Sequence, residues 1–236
     1  MGSPSADLIT KDVTGSTNDD ARDLALAGAP AGTAVLARSQ SHGRGRAGRS
    51  FDSPEGGLYL SVVLRPKLAP EEWSLLPLLA GVVVASALRT RGFDAWVKWP
   101  NDILLHGEKV GGVLVESRWG NEAFAIVGIG LNLARAPDGI DGVTALARHG
   151  EAPDAGALAV ELRDALVARV GHWERDGSGP LLSDVRSLCA SLGREVVWEE
   201  EAGRAVDVAD DGALVVELRG GARRRVLAGD VRLRTK

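Results

Sequence analysis

Residues 40–49 alternate arginines with glycines, a pattern suited to binding an anion. Arg44, Arg46 and Arg49 carry permanent planar charges that match carboxylate and phosphate oxygens two at a time. The glycines between them permit positive φ and let the main chain approach a ligand closely. These residue types predict a loop that encloses an anionic group.

Two other interpretations of this stretch have to be weighed. Arg-Gly tracts are often disordered linkers, but residues 39–57 lie between the predicted strands 33–37 and 58–64, and long loops in compact domains are usually lids or binding loops. Residues 43–48 also satisfy G-x-G-x-x-G, the dinucleotide-binding pattern. That pattern requires a helix immediately afterwards, whereas residues 50–57 are rich in turn formers. We therefore predict a binding loop and reject a dinucleotide fold.

A second group of polar residues surrounds a predicted turn at residues 100–102. Lys98 lies between two tryptophans, Asn101 and Asp102 belong to the turn, and Lys109 begins the next predicted strand. Taken singly, the lysine could pack its stem on indole and the turn residues could simply make the turn. Across a hairpin, however, Asp102 and Lys109 would come close together, next to glycines where a ligand can reach the backbone. This segment is a second candidate for the site.

The remaining pattern supplies the elements that must position these groups. Ser16, Thr17 and Asn18 stand at the start of a helix that stops at Gly28, and helix capping alone would explain them. Strands joined by short turns predict a mixed, largely antiparallel sheet, and short alternating runs after Gly193 predict a small barrel. The predicted strands are 8–13, 33–37, 58–64, 94–99, 103–105, 109–119, 124–127, 195–199, 204–208, 213–218 and 223–228, and the predicted later helices are 73–90, 155–175 and 181–191.

The composition is that of an ordinary globular protein. The chain has 236 residues, of which 44% are hydrophobic and 25% charged, so it can bury a sizeable core. A net charge of −4 argues against non-specific nucleic-acid binding as its main task. A single cysteine, Cys189, and the lack of a signal-like segment at residues 2–5 favour the cytoplasm. The apolar run 75–88 is short for a membrane span and is expected to form a buried helix.

Several familiar kinds of site are not expected from the sequence. It contains neither the G-x-x-x-x-G-K-[ST] phosphate loop nor the G-x-S-x-G nucleophile elbow. The four histidines lie far apart, without cysteine partners at zinc-ligand spacing. We therefore expect no metal site made by protein ligands alone.

Together, five motifs occur in the order and spacing of the biotin protein ligases, and the chain resembles that family over nearly its whole length. The motifs are Ser16-Thr-Asn18, Gln40 with Gly43-Arg-Gly-Arg-Ala-Gly-Arg49, Lys98-Trp-Pro-Asn-Asp102, Lys109-Val-Gly-Gly-Val113 and Gly128-Ile-Gly-Leu-Asn132. Ala47 and Phe51 depart from it, since the family often has a basic residue and a tryptophan there. The resemblance implies an α+β fold like that of class II aminoacyl-tRNA synthetases, with a sheet flanked by helices in a catalytic domain (1–188) and an SH3-like domain (189–236).

The resemblance also implies a reaction and a role for each motif. Biotin would react with ATP to give biotinyl-5'-AMP and pyrophosphate, and would then pass to a lysine of a biotin carboxyl carrier protein, with Mg²⁺ arriving on ATP. Catalytic roles would fall to Arg46 and Lys109. The residues implied for biotin are Ser16, Thr17, Asn18, Gln40, Gly43, Arg44, Gly45, Arg46, Lys109 and Gly112. The residues implied for the nucleotide are Arg44, Arg46, Arg49, Phe51, Asn101, Asp102, Gly128, Gly130 and Asn132.

Two alternatives remain open. A lipoate-type protein ligase would share the architecture, and an RNA-binding module could combine the Arg/Gly loop with a small barrel. The second is disfavoured by the negative charge and the single tyrosine, because single-strand binders stack bases on aromatic side chains. Few residues precede the first predicted strand, so the resemblance is to monofunctional ligases without the winged-helix extension. Neither DNA nor a membrane is expected as a partner.

Overall fold

Seven strands form the larger sheet in a computed structural model that describes residues 6–120, 122–137, 139–199, 201–227 and 231–233. They are β1 (Leu8–Thr14), β2 (Ala34–Gln40), β3 (Leu58–Leu64), β4 (Ala95–Lys98), β5 (Asp102–Leu105), β6 (Glu108–Arg118) and β7 (Phe124–Leu131). Their order across the sheet is β1-β2-β3-β7-β6-β5-β4. Among these described strands, β1 and β2 pair in parallel and all other neighbours are antiparallel. The predicted mixed, largely antiparallel sheet is confirmed.

The helices that flank this sheet in the described residues are α1 (Thr17–Leu26), α2 (Leu76–Arg89), α3 (Ala155–Asp176) and α4 (Gly179–Leu188). α1 carries the chain from β1 to β2, and such a crossover lets the two strands run parallel. α3 starts after Asp154, whose carboxylate caps the first turn, which confirms the helix predicted at 155–175. α4 starts and ends earlier than the predicted 181–191, because the chain after it bends so that the N–H of Ala190 donates to the carbonyl of Val97.

α2 lies at the centre of the fold and packs on the sheet, on α3 and on α4. It follows a 3-10 turn at Pro70–Leu75, so the helix predicted at 73–90 is split. Pro77 lies in the first turn of α2, where its missing N–H would have no partner in any case. The segment Pro70–Arg89 has the length and hydropathy of a membrane span, but 72% of its most apolar window is buried inside the fold. The prediction of a buried helix is confirmed.

A second sheet follows, with five antiparallel strands in the described residues: β8 (Glu195–Trp198), β9 (Glu201–Val208), β10 (Leu214–Leu218), β11 (Arg223–Val226) and β12 (Arg232–Leu233), in the order β11-β10-β9-β8-β12. Trp99 joins the two sheets, because its indole Nε1 donates to the Gly212 carbonyl at 2.8 Å and its backbone N–H donates to Ser191 Oγ at 3.1 Å. The small sheet therefore braces the turn after β4. The domain boundary expected after residue 188 falls at the end of α4 and stays a prediction.

Candidate functional site

The motif residues meet in one pocket on the larger sheet, walled by the loop after β2 and by the turn between β4 and β5. The pocket is lined by Ser16, Thr17, Asn18, Gln40, Arg44, Gly45, Arg46, Arg49, Ser50, Phe51, Lys98, Trp99, Pro100, Asn101, Asp102, Lys109, Gly112, Val113, Leu114, Gly128, Ile129, Gly130 and Val231. All the site residues predicted from the sequence are in this set except Gly43 and Asn132. Five separate stretches of the chain therefore converge as the resemblance implied.

The two exceptions lie behind the wall. Gly43 is packed so closely on the Phe51 carbonyl and the Ser53 hydroxyl that a side chain would not fit. Its own carbonyl accepts from the N–H of Phe51 at 2.8 Å, which closes the loop. Asn132 is buried, and its Nδ2 donates to the carbonyl of Thr144 at 3.0 Å. Both residues therefore lie outside the pocket lining, and the ligand contacts that the resemblance implies for them stay predictions.

The Gly/Arg loop folds back on itself as a small hairpin. Residues 41–57, all of which the structure describes, contain one 3-10 turn, Arg46–Gly48, and no α-helix. Ser50 bridges back to Arg44, and the N–H of Gly45 donates to the Arg49 carbonyl at 2.7 Å. Ala47 sits at the tip with φ of 54°, in the left-handed region that a small side chain tolerates better than a branched one. No α-helix follows the glycines within these residues, so the loop lacks the strand–loop–helix arrangement that the dinucleotide-binding pattern requires.

Arg44 is held by carboxylates of the fold. Its guanidinium donates to both oxygens of Asp19 at 2.6 and 2.8 Å and lies 3.3 Å from the carboxylate of Glu116. The hydrogen bond from Arg44 lowers the pKa of Asp19, and Arg22 adds to the effect. The same hydrogen bond raises the pKa of Arg44. Arg44 therefore ties the base of the loop to α1 and β6.

Arg46 reaches across the pocket instead. Its Nη1 donates to Oδ1 of Asn101 at 3.0 Å, which links the loop to the turn after β4. The Asn101 amide is fixed in this orientation because its Nδ2 donates to the carbonyl of Val113 at 2.9 Å. The position of the loop beside the pocket is thus linked to the position of this turn.

Asp102 holds two lysines at the opposite wall. Its carboxylate lies 2.6 Å from Lys109 Nζ and 3.0 Å from Lys98 Nζ, which confirms the predicted approach of Asp102 and Lys109 across the hairpin. Burial opposes ionisation of Asp102, whose side chain is 17% exposed, but the two ammonium groups outweigh it and its pKa lies below the usual value. The backbone of Lys109 is also fixed, because it exchanges hydrogen bonds with Gly142 and Thr144 at 2.8 and 2.9 Å. The ammonium of Lys109 therefore has a defined position.

The pocket floor consists of uncharged polar groups from α1 and β2. Within the described residues, Ser16 occupies the N-cap position of α1, but its hydroxyl makes no capping hydrogen bond. Gln40 Oε1 accepts from the backbone N–H of Thr17 at 2.8 Å, and Asn18 packs against the backbone of Gly128, where a side chain would not fit. Helix capping alone therefore does not account for these residues.

Sequence reasoning did not find several residues that complete the site. Ser61 is fully buried beneath the floor, and its hydroxyl contacts Asn18 Oδ1 at 2.6 Å. Glu116 accepts from Asn18 Nδ2 at 2.6 Å. In the sequence these two residues are recognisable only as polar residues in otherwise apolar strands: Ser61 in the apolar run 58–64 and Glu116 in a valine-rich run. Val231, which directly precedes β12, also lines the pocket, and sequence reasoning assigned it no role in the site. In the described part of the chain, no three His, Cys, Asp or Glu residues cluster as metal ligands would.

Comparison with known proteins is consistent with this geometry. The model of the biotin/lipoate A/B protein ligase family matches residues 11–132, and that of the biotin protein ligase C-terminal domain matches residues 192–234. The chain is 35% identical to a biotin–[acetyl-CoA-carboxylase] ligase of Mycobacterium tuberculosis, covering 92% of this chain and 85% of the relative. A protein of the same name from Paracoccus denitrificans is 36% identical, with 91% and 95% covered.

A solved structure shares the fold across both sheets. The biotin protein ligase of Aquifex aeolicus, in complex with biotin and ATP, superposes with a TM-score of 0.81 at 29% identity, covering 97% of this chain and 99% of that one. Both matched family models and the coverage of the relatives agree on one assignment. This chain belongs to the biotin protein ligases of the biotin/lipoate A/B protein ligase family.

Proposed function

We propose that this protein activates biotin with ATP to form biotinyl-5'-AMP and pyrophosphate, and then transfers biotin to a specific lysine of a biotin carboxyl carrier protein. The observation that carries the proposal is a single pocket with an uncharged polar floor at Thr17 and Gln40 and a cationic wall at Arg46 and Lys109. A suitable ligand is an acid whose polar ring fits the floor and whose carboxylate, at the end of an apolar chain, fits the cationic wall. The names of the relatives, which ligate biotin, support the same substrate.

The first step brings two anions together. The biotin carboxylate oxygen attacks the α-phosphorus of ATP, the bond from the α-phosphorus to the oxygen that bridges it to the β-phosphorus breaks, and pyrophosphate leaves; a magnesium ion carried by ATP would help to neutralise the phosphate charges. Lys109 would hold the carboxylate, and Arg46 would spread the charge that grows on the α-phosphate. Asp102, whose pKa is lowered, stays ionised at neutral pH and keeps Lys109 in place. No covalent intermediate with the protein is needed.

The second step transfers the acyl group. The uncharged amine of the acceptor lysine attacks the acyl carbon of biotinyl-5'-AMP, AMP leaves, and the amide nitrogen loses one proton. The mixed anhydride is sensitive to water, so a cover over the pocket is required until the acceptor arrives. The hydrogen bond between Arg46 and Asn101 places the loop where it can act as this cover.

Each part of biotin and of ATP can be matched to a surface of the pocket. We assign the ureido ring to the floor at Thr17 and Gln40, and the hydrocarbon tail to Val113 and Ile129. The ring of Phe51, which packs edge-to-face on Tyr59 with centroids 6.4 Å apart, would cover the adenine. Roles in binding the nucleotide for Arg49, Asn101, Gly128, Gly130 and Asn132 remain part of the proposal.

The direct test is incubation of the purified protein with biotin and MgATP. We expect stoichiometric pyrophosphate release and a retained biotinyl-5'-AMP, detected by mass spectrometry, and then a mass increase on a carrier domain but not on the same domain with its acceptor lysine changed to arginine. Lipoate with MgATP is the matched control for the nearest alternative. Pyrophosphate released with lipoate and not with biotin would overturn the proposal.

The RNA-binding alternative receives no support from the site. Arg44 is already neutralised by Asp19 and Glu116, so the loop presents less free positive charge than its sequence implies. A titration of single-stranded RNA at several salt concentrations tests this alternative, because a steep fall of affinity with salt marks phosphate binding. We expect no measurable binding at physiological salt.

A further inference from the structure

The ring of Phe51 occupies a place on the larger sheet that would otherwise belong to a strand side chain. Tyr59 of β3 pairs with Gly130 of β7, and the side chains of directly paired residues lie next to each other on one face of a sheet. Gly130 has no side chain, and a Cβ atom at this residue would lie 2.6 Å from the Phe51 ring. Phe51 therefore takes the place of the missing cross-strand neighbour of Tyr59.

Tyr59 packs on this ring from the side. The two rings meet edge to face, with centroids 6.4 Å apart and planes at 74°, which is a favourable arrangement for an aromatic pair. Tyr59 is 2% exposed, whereas Phe51 is half-buried and lines the pocket. A buried ring thus supports the ring at the pocket surface.

The ring of Tyr59 is itself anchored at its outer end. Its hydroxyl donates to the carbonyl of Pro54 at 2.7 Å. Burial raises the pKa of Tyr59, and the charge of Asp52 adds to the effect, so the hydroxyl keeps its hydrogen for this bond at neutral pH. Gly57 provides the room, since a Cβ atom there would collide with the hydroxyl oxygen. The Tyr59 ring therefore has a fixed position.

The side chain of Phe51 has no such anchor. Its backbone is fixed, because its N–H donates to the Gly43 carbonyl at 2.8 Å and its carbonyl accepts from Ser53 Oγ at 2.9 Å. A phenyl ring has no polar group that could form a hydrogen bond of this kind, so packing determines its orientation. Gly130 lies beneath the ring, and Tyr59 blocks it from the side. Loss of the Tyr59 ring would let the Phe51 ring turn away from its present position.

We infer that Tyr59, which is outside the pocket lining, is a positioning residue that holds the Phe51 ring in place for the adenine of ATP and thereby sets the affinity for the nucleotide. This inference rests on the proposed function, in which Phe51 covers the adenine. Aromatic rings attract each other only in particular arrangements, and a side chain that must be immobilised when a ligand binds lowers the affinity. Tyr59 immobilises Phe51 before ATP arrives.

Two substitutions separate the ring of Tyr59 from its hydroxyl. Tyr59→Leu removes both, and Tyr59→Phe removes the hydroxyl alone. With biotin at saturation, calorimetric titration with a non-hydrolysable ATP analogue should show about a three- to tenfold loss of affinity in Tyr59→Leu, the scale of one immobilised side chain. The loss in Tyr59→Phe should be less than about twofold, because the ring contact remains.

The affinity for biotin alone tests whether the pocket as a whole is preserved. It should stay within about twofold of the unsubstituted protein in both variants, because Phe51 is assigned to the nucleotide. Tyr59→Met, which also lacks a ring but fills the core differently, carries the same test if Tyr59→Leu does not fold.

A double-mutant cycle with Phe51→Leu shows whether Tyr59 acts through Phe51. Phe51→Leu should itself weaken binding of the ATP analogue. Adding Tyr59→Leu to it should lower the affinity by less than about a further twofold, because no ring is left to position. A general loosening of the fold would instead lower the affinity by the same factor in both backgrounds.

Phe124→Leu is the matched control for the loss of a buried ring. Phe124 is 2% exposed and lies at the opposite end of β7 from Gly130, where its ring packs under the guanidinium of Arg65. The unfolding midpoint should fall in this variant, as in Tyr59→Leu, but the affinity for the ATP analogue should not.

Four results would overturn the inference: unchanged affinity for the ATP analogue in Tyr59→Leu, an equal loss with and without the Phe51 ring, a loss in Tyr59→Phe as large as in Tyr59→Leu, or an equal loss in Phe124→Leu. A failed proposed function would look different. In that case the unsubstituted protein itself would neither bind biotin nor release pyrophosphate with it, whatever residue 59 is.

Discussion

Replacing Lys109 with glutamine removes one positive charge from the pocket and keeps a polar, somewhat shorter side chain. Lys109 Nζ lies 2.6 Å from Asp102, in a pocket that also contains Arg46 on the opposite wall. If Lys109 holds the carboxylate during attack on phosphorus, its loss removes a preorganised charged donor from the transition state. Removal of one such donor typically lowers kcat by about 10²–10³-fold, which corresponds to about 3–4 kcal/mol.

The effect on folding should be much smaller. Asp102 is 17% exposed and would lose one cation, but Lys98 remains 3.0 Å from the same carboxylate. The Lys109 side chain is 36% exposed, so the loss lies between that of a surface pair and that of a buried one, about 1–2 kcal/mol. For a chain of this size, that corresponds to a fall of the unfolding midpoint of about 2–8 °C. At 25 °C the variant should remain folded.

Two half-reactions separate the role of Lys109 in chemistry from its role in structure. The first assay measures pyrophosphate released with biotin and MgATP, and the second supplies prepared biotinyl-5'-AMP and a carrier domain. Only the first should fall by about 10²–10³-fold, since the two anions have already been joined in the second. Lys11→Gln is the control, because it breaks the 2.8 Å pair with Asp20 at the outer strand β1 and removes the same charge.

Pyrophosphate release by Lys109→Gln at the rate of the unsubstituted protein would refute the proposed role. Equal losses in both half-reactions would also contradict it, because they would indicate a general distortion of the pocket. A loss that Lys11→Gln reproduces would show that only net charge matters. The proposed role requires a loss confined to Lys109 and to adenylation.

Three further predictions use the same pocket. Arg46→Gly loses the bond to Asn101 and should release biotinyl-5'-AMP into solution, seen as biotin on the lysines of an added bystander protein; full retention of the adenylate would contradict a covering loop. The pKa of Asp102 is lowered in the fold, so its contribution to stability is complete above the ordinary aspartate pKa of about 4 and is lost as the pH falls toward the lowered value. The difference in unfolding midpoint between the unsubstituted protein and Asp102→Asn should therefore shrink between roughly pH 6 and roughly pH 2. A difference that grew over this range would refute the link between the pKa and stability. Gly130→Ala places a methyl group 2.6 Å from the ring of Phe51 and should raise the KM for ATP several-fold with little effect on that for biotin; an effect on biotin alone would remove Phe51 from the nucleotide site.

The fold was predictable where a pattern is long enough to be periodic. The helix predicted at 155–175 and the strand predicted at 58–64 occur within a residue of their expected bounds. β12 was not predicted, since its two residues, Arg232–Leu233, are recognisable only through their pairing with β8. The α-helix predicted from residue 73 starts later because Pro77 sets its first turn. Short pairings and helix starts depend on tertiary contacts that no local pattern contains.

The site was predictable where chemistry demands unusual residue types. Arginines among glycines, and a lysine beside an Asn-Asp turn, stand out without a structure. Ser61 and Glu116 do not stand out in the sequence, because their place beneath the pocket floor follows from the pairing of the strands. Ser61 pairs with Gly128 across β3 and β7, and the space above Gly128 is the place that Asn18 occupies. A register of this kind can be read only after the sheet has formed.

The two groups proposed to act on the reacting anions depend on one short turn. Asn101 accepts from Arg46 of the loop, and the next residue, Asp102, holds Lys109 of β6. The adjacent residues Asn101 and Asp102 therefore set the distance between the guanidinium of Arg46 and the ammonium of Lys109. The turn is itself braced by the C-terminal sheet through the 2.8 Å bond from Trp99 to the Gly212 carbonyl. The small sheet thus contributes to the pocket by fixing the turn that positions the two cations, and a displaced turn would separate both of them from the anions that the proposed reaction joins.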